Sequence, residues 1–417
     1  MTIMKTRLLF MLLFTTVSTF TFAQTTLIPD SNFEQALIDL GIDSDGVING
    51  EVLTADVEDV LSLEVQENSI SDLTGIEDFS SLQDLYCFGN QLTNLNISQN
   101  SVLALLWCYE NQLTTLNVTQ NTLLTELNIR SNQFSSLDVT QNSFLTYLNI
   151  SSNQFNTLDV TQNLLLTTLV VTYNQFSSLD VTHNTSLTTL RLTSNQFASI
   201  DISQNINLTW LTASINQFAS IDLSQNLALV SLSIIENQLT SIDVSENAEL
   251  QGLVCDNNLI TNIDLSQNTL LQTVRCEGNQ LTSLNIKNGN SNGIISFHTI
   301  NNPNLDCIQV DADVVDNIPA NWDYDAGVSF SNDCEYLGVN DNELSEISIY
   351  PNPTNDKLFA AIGDTDTIQS LQLFSVTGKL LLDSNLTEID VSNLPTGMYL
   401  LKIQTDKGLS VKKVIKK

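Results

Sequence analysis

The strongest constraint on this chain is an asparagine that recurs every 21 residues. It occurs without a slip at Asn90, Asn111, Asn132, Asn153, Asn174, Asn195, Asn216, Asn237, Asn258 and Asn279. Chance does not produce such spacing, so the fold must repeat one structural unit. A unit of this size cannot bury enough apolar surface to offset the entropy lost by its own backbone. The spacing therefore predicts a solenoid in which neighbouring coils share one core.

Each unit contains two copies of one shorter motif. The unit that begins at Leu124, LTELNIRSNQFSSLDVTQNSF, divides into LxxLxIxxN and FxxLxVxxN. The second copies form their own asparagine ladder, at Asn100, Asn121, Asn142, Asn163, Asn184, Asn205, Asn226, Asn247 and Asn268. In both halves apolar and polar residues alternate, which is the period of a short strand with one face inward. We therefore expect two short strands in every coil, with asparagine amides satisfying backbone groups in the turns.

The repeat resembles that of leucine-rich-repeat proteins, more narrowly the bacterial type with a nested 21-residue unit, over about residues 82 to 287. This resemblance implies a β-rich solenoid, a leucine-rich-repeat superhelix of about ten coils. Its ends need caps. At the N-terminal end, Ser31 to Glu34 match a capping box and predict a helix. Its apolar face would carry Phe33, Ala36, Leu37 and Leu40. The following ISDLTGIEDFSSLQDL stretch resembles the start of internalin-like repeats.

Residues 344–417 follow a different pattern. Short apolar and polar alternations between Pro, Gly and Asp turns predict a small antiparallel β-sandwich. The segment also resembles the type A C-terminal sorting domain of the type IX secretion system, through its YPNP, SVTGKLL, LPTGMYLLKI and terminal VKKVIKK motifs. The resemblance implies that the export machinery recognises Tyr350, Pro351, Asn352, Pro353, Gly397, Tyr399, Lys412, Lys413, Lys416 and Lys417. The alternative is an adhesive module without a sorting role.

The N-terminus predicts export as well. Lys5 and Arg7 precede an apolar run, and small residues follow before Gln24, the pattern of a secretory signal peptide. No other stretch has the roughly 20 apolar residues of a membrane-spanning helix. The expected organisation is a signal peptide (1–23), an N-terminal cap with the first repeats (24–81), leucine-rich repeats (82–300), a C-terminal cap and linker (301–343) and the sorting domain (344–417).

Charge separates the body of the chain from its tail. Residues 24–343 contain four basic and 39 acidic residues, a net charge of −35, whereas eight of each fall in residues 344–417. A body of this charge repels nucleic acid and anionic membranes. We therefore expect no nucleic-acid partner.

The six cysteines fall into two groups. Cys87 and Cys108, like Cys255 and Cys276, are one repeat apart at an inward position. In-register strands lie about 4.8 Å apart, whereas a disulfide needs Cβ atoms near 3.8 Å, so we interpret these four as buried thiols. Cys307 and Cys334 flank a loop outside the repeats and are the favoured disulfide.

Few residues are suited to catalysis. His183 occupies a turn position that other repeats fill with Gln, and GNSNG around Ser291 matches a nucleophile motif only formally, because it lies in a loop rather than a strand-to-helix turn. Asp43, Asp45 and Gly46 suggest a calcium loop, but a valine stands at a ligand position, so a structural turn is favoured. We expect no enzyme and no resident cofactor.

The second half-motif presents a nearly constant outward residue. This position holds Asp138, Asp159, Asp180, Asp201, Asp222, Asp243 and Asp264, the Asp ladder. Carboxylates about 4.8 Å apart could hold calcium between coils. Alternatively, each carboxylate is solvated or bonds local backbone groups, and repeat duplication explains the regularity. We favour the second interpretation, and the interleaved carboxylates also weaken a comparison with ice-binding arrays.

The first half-motif presents a variable outward face instead. It carries aromatic and basic residues, the types that dominate binding energy at protein surfaces. The candidate ligand-binding residues are Tyr86, Phe88, Trp107, Tyr109, Tyr147, Arg191 and Trp210. The alternative is that some of these aromatics pack beneath the N-terminal cap.

Together these features predict a secreted or cell-surface binding or adhesion protein. Its expected partners are a protein or polysaccharide on the variable face and the type IX machinery at the tail. The alternative is a structural solenoid, stiffened by calcium on the Asp ladder, without a specific ligand. A hydrolytic function would need a catalytic domain, for which the sequence leaves no segment.

Overall fold

The computed structural model describes residues 24–334, 347–361, 367–375, 379–384, 386–405 and 409–417. The expected signal peptide, the last part of the expected linker (335–343), the first residues of the expected sorting domain (344–346) and the centre of the SVTGKLL motif (376–378) lie outside the described residues. The chain divides into two compact units. One comprises Met1–Asp306 with Asp316–Val328, and the other comprises Cys307–Val315 with Ser329–Lys417.

The first unit begins with a small α/β cap. Strands β1 (Thr25–Leu27) and β2 (Glu51–Leu53) pair antiparallel, and helices α1 (Ser31–Asp39) and α2 (Thr54–Val57) follow them. On α1 the expected apolar face is buried at Phe33, Ala36 and Leu37. Leu40 differs from expectation, because it is the C-cap residue and remains 47% exposed.

The capping of α1 differs from the predicted capping box. The N-cap residue is Asp30 rather than Ser31, and its carboxylate accepts hydrogen bonds from the amides of Asn32 and Phe33. The Glu34 side chain does not return to the cap; it accepts hydrogen bonds from the amides of Asn49 and Gly50. Glu34 therefore satisfies backbone amides of a distant loop, whereas the capping-box motif predicts that it bonds the N-terminal end of its own helix.

A twelve-stranded parallel sheet runs through the described part of the first unit. Its strands are β3 (Ser62–Glu64), β4 (Asp84–Tyr86), β5 (Leu105–Trp107), β6 (Glu126–Asn128), β7 (Tyr147–Asn149), β8 (Thr168–Val170), β9 (Thr189–Arg191), β10 (Trp210–Thr212), β11 (Ser231–Ser233), β12 (Gly252–Val254), β14 (Thr273–Arg275) and β16 (Ser296–His298). The predicted solenoid is therefore confirmed. The sheet exceeds the ten expected coils, because β3 and β16 join it across spacings of 22 and 23 residues, which strand pairing tolerates.

The second half of each coil does not match the prediction of a strand throughout. Here only β13 (Asn262–Asp264) and β15 (Ser283–Asn285), in the last coils, pair as strands. In earlier coils the side chain of Asn142 donates to the carbonyls of Val118 and Asn121, and the amide of Thr140 bonds Asp138 in its own coil. The same side-chain bonds occur in the coil of β13, at Asp264 and Asn268, so they are compatible with strand pairing and do not by themselves prevent it.

Two asparagine ladders and a phenylalanine stack fill the interior. In the first ladder the Asn111 amide nitrogen donates to the carbonyls of Cys87 and Cys108, and its oxygen accepts the amide of Leu92. The second ladder is fully buried and donates in the same way between coils. Phe134, Phe155, Phe176, Phe197 and Phe218 stack at centroid distances between 6.2 and 6.5 Å. Every coil therefore depends on its neighbours for both polar and apolar contacts.

Residues 316–328 close the far end of the sheet within the same unit. The Trp322 ring packs on Phe297 with ring centroids 4.3 Å apart, and its indole nitrogen donates to the carbonyl of Ile294. Asp323 exchanges backbone hydrogen bonds with Phe297 and Thr299. The edge of β16 is thereby covered, which protects an open strand edge from pairing with another chain.

The second unit contains a disulfide and two antiparallel sheets. Cys307 and Cys334 are bonded, beside the parallel pair β17 (Cys307–Gln309) and β18 (Ser329–Ser331) and helix α3 (Ala312–Val315), whereas the other four cysteines are free and buried. The C-terminal sheets comprise β19 (Ser348–Tyr350), β20 (Lys357–Ala361) and β23 (Glu388–Asp390), and β22 (Leu380–Ser384), β21 (Ile368–Ser375), β24 (Gly397–Thr405) and β25 (Leu409–Lys416). Side chains from both sheets form one core, as in the expected sandwich.

Candidate recognition face and sorting domain

The outward side of the twelve-stranded sheet, together with the residues that directly follow its strands, is termed the strand face and contains all seven candidate ligand-binding residues. Strand residues alternate, so each central leucine or valine points inward and its neighbours point outward. The register of β4 on β5 places Tyr86 directly beside Trp107 of the next coil. Phe88 and Tyr109 follow two residues further along the same two coils.

Four of the candidates form one aromatic cluster at the N-terminal end of the strand face. The Tyr86 and Trp107 rings meet edge to face with centroids 5.4 Å apart, and Phe88 and Tyr109 stack nearly parallel at 4.3 Å. Trp107 also contacts Tyr109 at 6.3 Å. All four residues are partly exposed. The alternative that some of these aromatics pack beneath the N-terminal cap stays a prediction.

Arg130 extends this cluster by one coil. Its guanidinium lies over the Tyr109 ring, 5.0 Å from the centroid, and forms an ion pair with Glu110. Arginine on an aromatic face gains a cation–π interaction. The sequence prediction missed Arg130, although its position, one 21-residue step after Tyr109, was available as a signal.

Carboxylates surround the aromatic cluster. The pKa of Tyr86 is raised mainly by burial of its phenol. The negative charges of Asp84, Glu126 and Glu64 raise it further. For Tyr109, burial raises the pKa and Glu110 adds to the effect, while Arg130 opposes it. The carboxylates around Tyr86 thus act in the same direction as burial, whereas at Tyr109 a carboxylate and a guanidinium act in opposite directions.

The other three candidates lie apart from this cluster. Tyr147 is on β7 and accepts a hydrogen bond from Asn149, whereas Arg191 and Trp210 are exposed on β9 and β10. Trp210 is 47% exposed, with Thr189 and Ser231 as its registered neighbours. The structure therefore divides the predicted site into one preorganised cluster and three separate residues.

The carboxylates of the Asp ladder have local partners. Asp138 accepts from both the amide and the hydroxyl of Thr140, and Asp159, Asp180 and Asp201 make the same pair of bonds. These hydrogen bonds hold the pKa of all four carboxyls below 3.8. Among the described residues, no three His, Cys, Asp or Glu side chains gather in a way that could hold a metal ion.

The turn position of the Asp ladder accepts asparagine equally well. Asn96, Asn117 and Asn285 occupy it in the first and last coils, and each amide oxygen accepts the backbone amide two residues on. A neutral asparagine thus accepts the same backbone hydrogen bond as the aspartate. The shared requirement is a hydrogen-bond acceptor rather than a negative charge.

The other sequence motifs have structural partners. Ser291 is fully buried, and its hydroxyl donates to the carbonyl of Ile286. His183 is exposed beside Thr182. In the suspected calcium loop, the Asp45 carboxylate accepts from the amide of Val47 and the side chain of Asn49. His183 and Asp45 thus lie in turns, and Ser291 is packed at the end of a loop.

An exposed apolar ridge is a second feature that sequence analysis missed. Val102, Leu123, Phe144 and Leu165 follow one another at 21-residue intervals, and each is at least 37% exposed. They occupy the turn before the strand rather than the strand face. The ridge is therefore an exposed apolar surface of the repeats that lies outside the candidate ligand-binding site.

In the tail, the predicted sorting residues come together. The Asn352 side chain donates to the carbonyl of Lys413 at 2.7 Å and accepts the amide of Ile415 at 2.8 Å. The Tyr399 hydroxyl donates to the carbonyl of Pro395. The YPNP motif is therefore attached to the last strand, although more than 60 residues separate them in sequence.

Comparison with known proteins separates the tail from the repeats. Residues 348–417 match the family described as the secretion system C-terminal sorting domain. No curated protein matches the chain. None of the helices in the described ranges has the length and apolar character of a membrane-spanning segment.

Two solved structures from Listeria monocytogenes resemble the fold. The functional domain of InlJ, which includes a cysteine ladder, is 23% identical, with 95% of this chain and 99% of that chain covered and a TM-score of 0.55. The internalin inlF is 22% identical, with 72% and 88% covered and a TM-score of 0.57. The chain thus has an internalin-like leucine-rich-repeat fold and ends in a type IX sorting domain, which directs it to the cell surface or beyond.

Proposed function

We propose that this exported solenoid recognises an extracellular protein or polysaccharide through its strand face. The observation that carries the proposal is the aromatic cluster of Tyr86, Phe88, Trp107 and Tyr109. Its rings hold one another in place and are partly exposed. Rigid aromatic residues supply contact area at low entropic cost, which is why they dominate binding hot spots.

The test is binding to an array of polysaccharides and immobilised extracellular proteins by the mature chain from Gln24. We expect at least one ligand, and we expect Trp107→Ala with Tyr109→Ala to weaken its binding by about tenfold or more. The matched control is Phe144→Ala with Leu165→Ala, which removes exposed apolar surface from the ridge and should leave affinity within about twofold. An array that stays blank, or equal losses in both variants, would contradict the proposal.

We also infer that the protein acts by binding rather than by catalysis. The Ser291 hydroxyl is buried and donates to a backbone carbonyl, and His183 is exposed in a turn of a different coil. A hydrolase screen of the mature protein on ester, peptide and glycoside substrates should show no turnover. Turnover abolished by Ser291→Ala, with folding unchanged, would overturn this inference.

A structural solenoid stiffened by calcium is the competing proposal. It rests on the Asp ladder, whose residues are exposed and use one carboxylate oxygen, Oδ1, in local hydrogen bonds. The asparagines at the equivalent positions favour a turn function instead. We therefore favour ligand recognition over a structural function stiffened by calcium, and we expect no cofactor.

A further inference from the structure

The N-terminal end of the strand face combines the aromatic cluster with an excess of negative charge. Five carboxylates lie on the strands and turns of these coils, at Glu64, Glu67, Asp84, Glu110 and Glu126. We call these residues, with the four aromatic ones, the acidic aromatic patch. Its one cation among the described residues is Arg130, and that guanidinium is paired with Glu110. The patch therefore has four carboxylates that Arg130 does not pair with.

The neighbouring coils show that this charge is local. From β7 to β11 the outward strand residues include no carboxylate, and their one charged member is Arg191. Carboxylates recur in the turn after β11, at Glu236, and after β12 and β14, where Asp256 and Glu277 pair with Arg275. Strands without carboxylates therefore separate the acidic aromatic patch from these groups.

The ring packing bears on which ligand the patch can hold. Phe88 covers one face of the Tyr109 ring, and the Arg130 guanidinium lies over the ring as well. Sugars bind aromatic residues by stacking on an open ring face, and Tyr109 offers little of this. What the patch presents beside its rings is a set of carboxylates and tyrosine hydroxyls, which are hydrogen-bond acceptors for ammonium and guanidinium groups.

We propose that the acidic aromatic patch binds a lysine- or arginine-rich segment of a partner protein. The cationic heads pair with Glu64, Asp84 and Glu126, and the apolar stems of the same side chains pack on Tyr86 and Trp107. This inference rests on the proposed recognition function and names the partner's chemistry. This end of the strand face already contains one such contact, because the Arg130 guanidinium lies over the Tyr109 ring and pairs with Glu110.

The experiment measures binding of a fluorescent octalysine peptide to the full mature chain by anisotropy at about 150 mM salt. The patch variant is Glu64→Gln with Asp84→Asn and Glu126→Gln. The matched control is Asp180→Asn with Asp201→Asn and Asp222→Asn, which removes the same charge from the Asp ladder. We expect the patch variant to weaken binding about tenfold and the control to change it by less than about twofold.

Equal weakening in the two variants would show general attraction to a polyanion and would overturn the proposal, as would no weakening in either. A thermal melt of each variant checks that both are folded. If the patch substitutions leave octalysine binding unchanged while Trp107→Ala with Tyr109→Ala still abolishes array binding, the basic partner is wrong and the recognition face stands. If the array ligand is a neutral polysaccharide that both triple variants bind equally, the partner is again not a basic segment.

Discussion

At the scale of single residues, the buried asparagines specify the solenoid. Asn142 donates to the carbonyls of Val118 and Asn121 at 3.0 and 2.8 Å, in coils that otherwise share few backbone hydrogen bonds here. Carbonyls buried without a donor cost about 1–3 kcal/mol each. Only a side chain with two N–H donors on one atom can serve both, which explains why asparagine recurs where serine or aspartate would not suffice.

Replacing Asn142 with aspartate should therefore be strongly destabilising. Asn142→Asp removes both donors and places a carboxylate in a fully buried position, so we expect a loss of at least about 3 kcal/mol in the free energy of unfolding by urea. Asn117→Asp is the matched control, because Asn117 is exposed and the next coil has Asp138 at its position. Similar losses for the two substitutions would show that the ladder bonds do not decide stability.

A second residue-scale prediction concerns Ile215. Its φ is +56°, a left-handed conformation that crowds a β-branched side chain, yet its side chain is 44% exposed. The equivalent turn residue two coils on is Asn257, at φ +55°. We expect Ile215→Asn to stabilise the protein by about 1 kcal/mol. Leu227→Asn, an exposed site with ordinary φ, should give no gain, and a gain there of the same size would refute the strain argument.

At the scale of repeated elements, the turns of the Asp ladder depend on pH. Hydroxyl and amide hydrogen bonds hold the pKa of Asp138, Asp159, Asp180 and Asp201 below 3.8, and amide and hydroxyl bonds do so for Asp222 and Asp243. A carboxyl with a lowered folded pKa contributes stability that is complete above its unfolded pKa. That contribution is lost as the pH falls through the folded pKa.

We therefore expect the urea midpoint to fall as the pH drops from about 5 to about 3. Protonation also relieves repulsion within the acidic body, which acts in the opposite direction. A variant with asparagine at these six positions keeps the acceptors and cannot titrate, so its midpoint should fall less. Parallel curves for the two proteins would contradict a stabilising role of these carboxylates.

The same element carries a prediction about metal. Because each ladder oxygen Oδ1 is already an acceptor within its own turn, we expect the melting temperature to change little when calcium is added or removed with EDTA. A clear increase in calcium that the six-asparagine variant lacks would restore the stiffened-solenoid proposal.

At the scale of the whole molecule, the tail should control export. Deleting Leu394–Lys417 removes β24 and β25, half of one sandwich sheet, and the strand to which Asn352 is bound. We expect the deleted protein to remain in the periplasm, detected by fractionation with antibodies to the repeats. The repeats belong to the other compact unit, so a folded solenoid should still accumulate there. Surface display of the deleted protein would refute the sorting role.

The repeat and the tail could be predicted from sequence because their determinants are local in the chain. A 21-residue period specifies which residues point inward, and burial of one side of each coil makes any other register costly. The sorting motifs could be matched in the same way. Two coils beyond the strict period could not be predicted, because pairing of β3 and β16 depends on backbone geometry that residue spacing does not show.

The sequence by itself determined the solenoid, its two asparagine ladders and which residues face outward. Only the tertiary structure decided how those residues combine: Tyr86, Phe88, Trp107 and Tyr109 join Arg130 in one cluster, while Tyr147, Arg191 and Trp210 stay apart. It also assigned Glu34 to a distant loop instead of its own helix. The aromatic cluster and the Glu34 hydrogen bonds have the same physical reason. Side-chain contacts and hydrogen bonds form between residues that are neighbours in space, and the periodicity of a sequence does not specify which of several possible neighbours a side chain contacts.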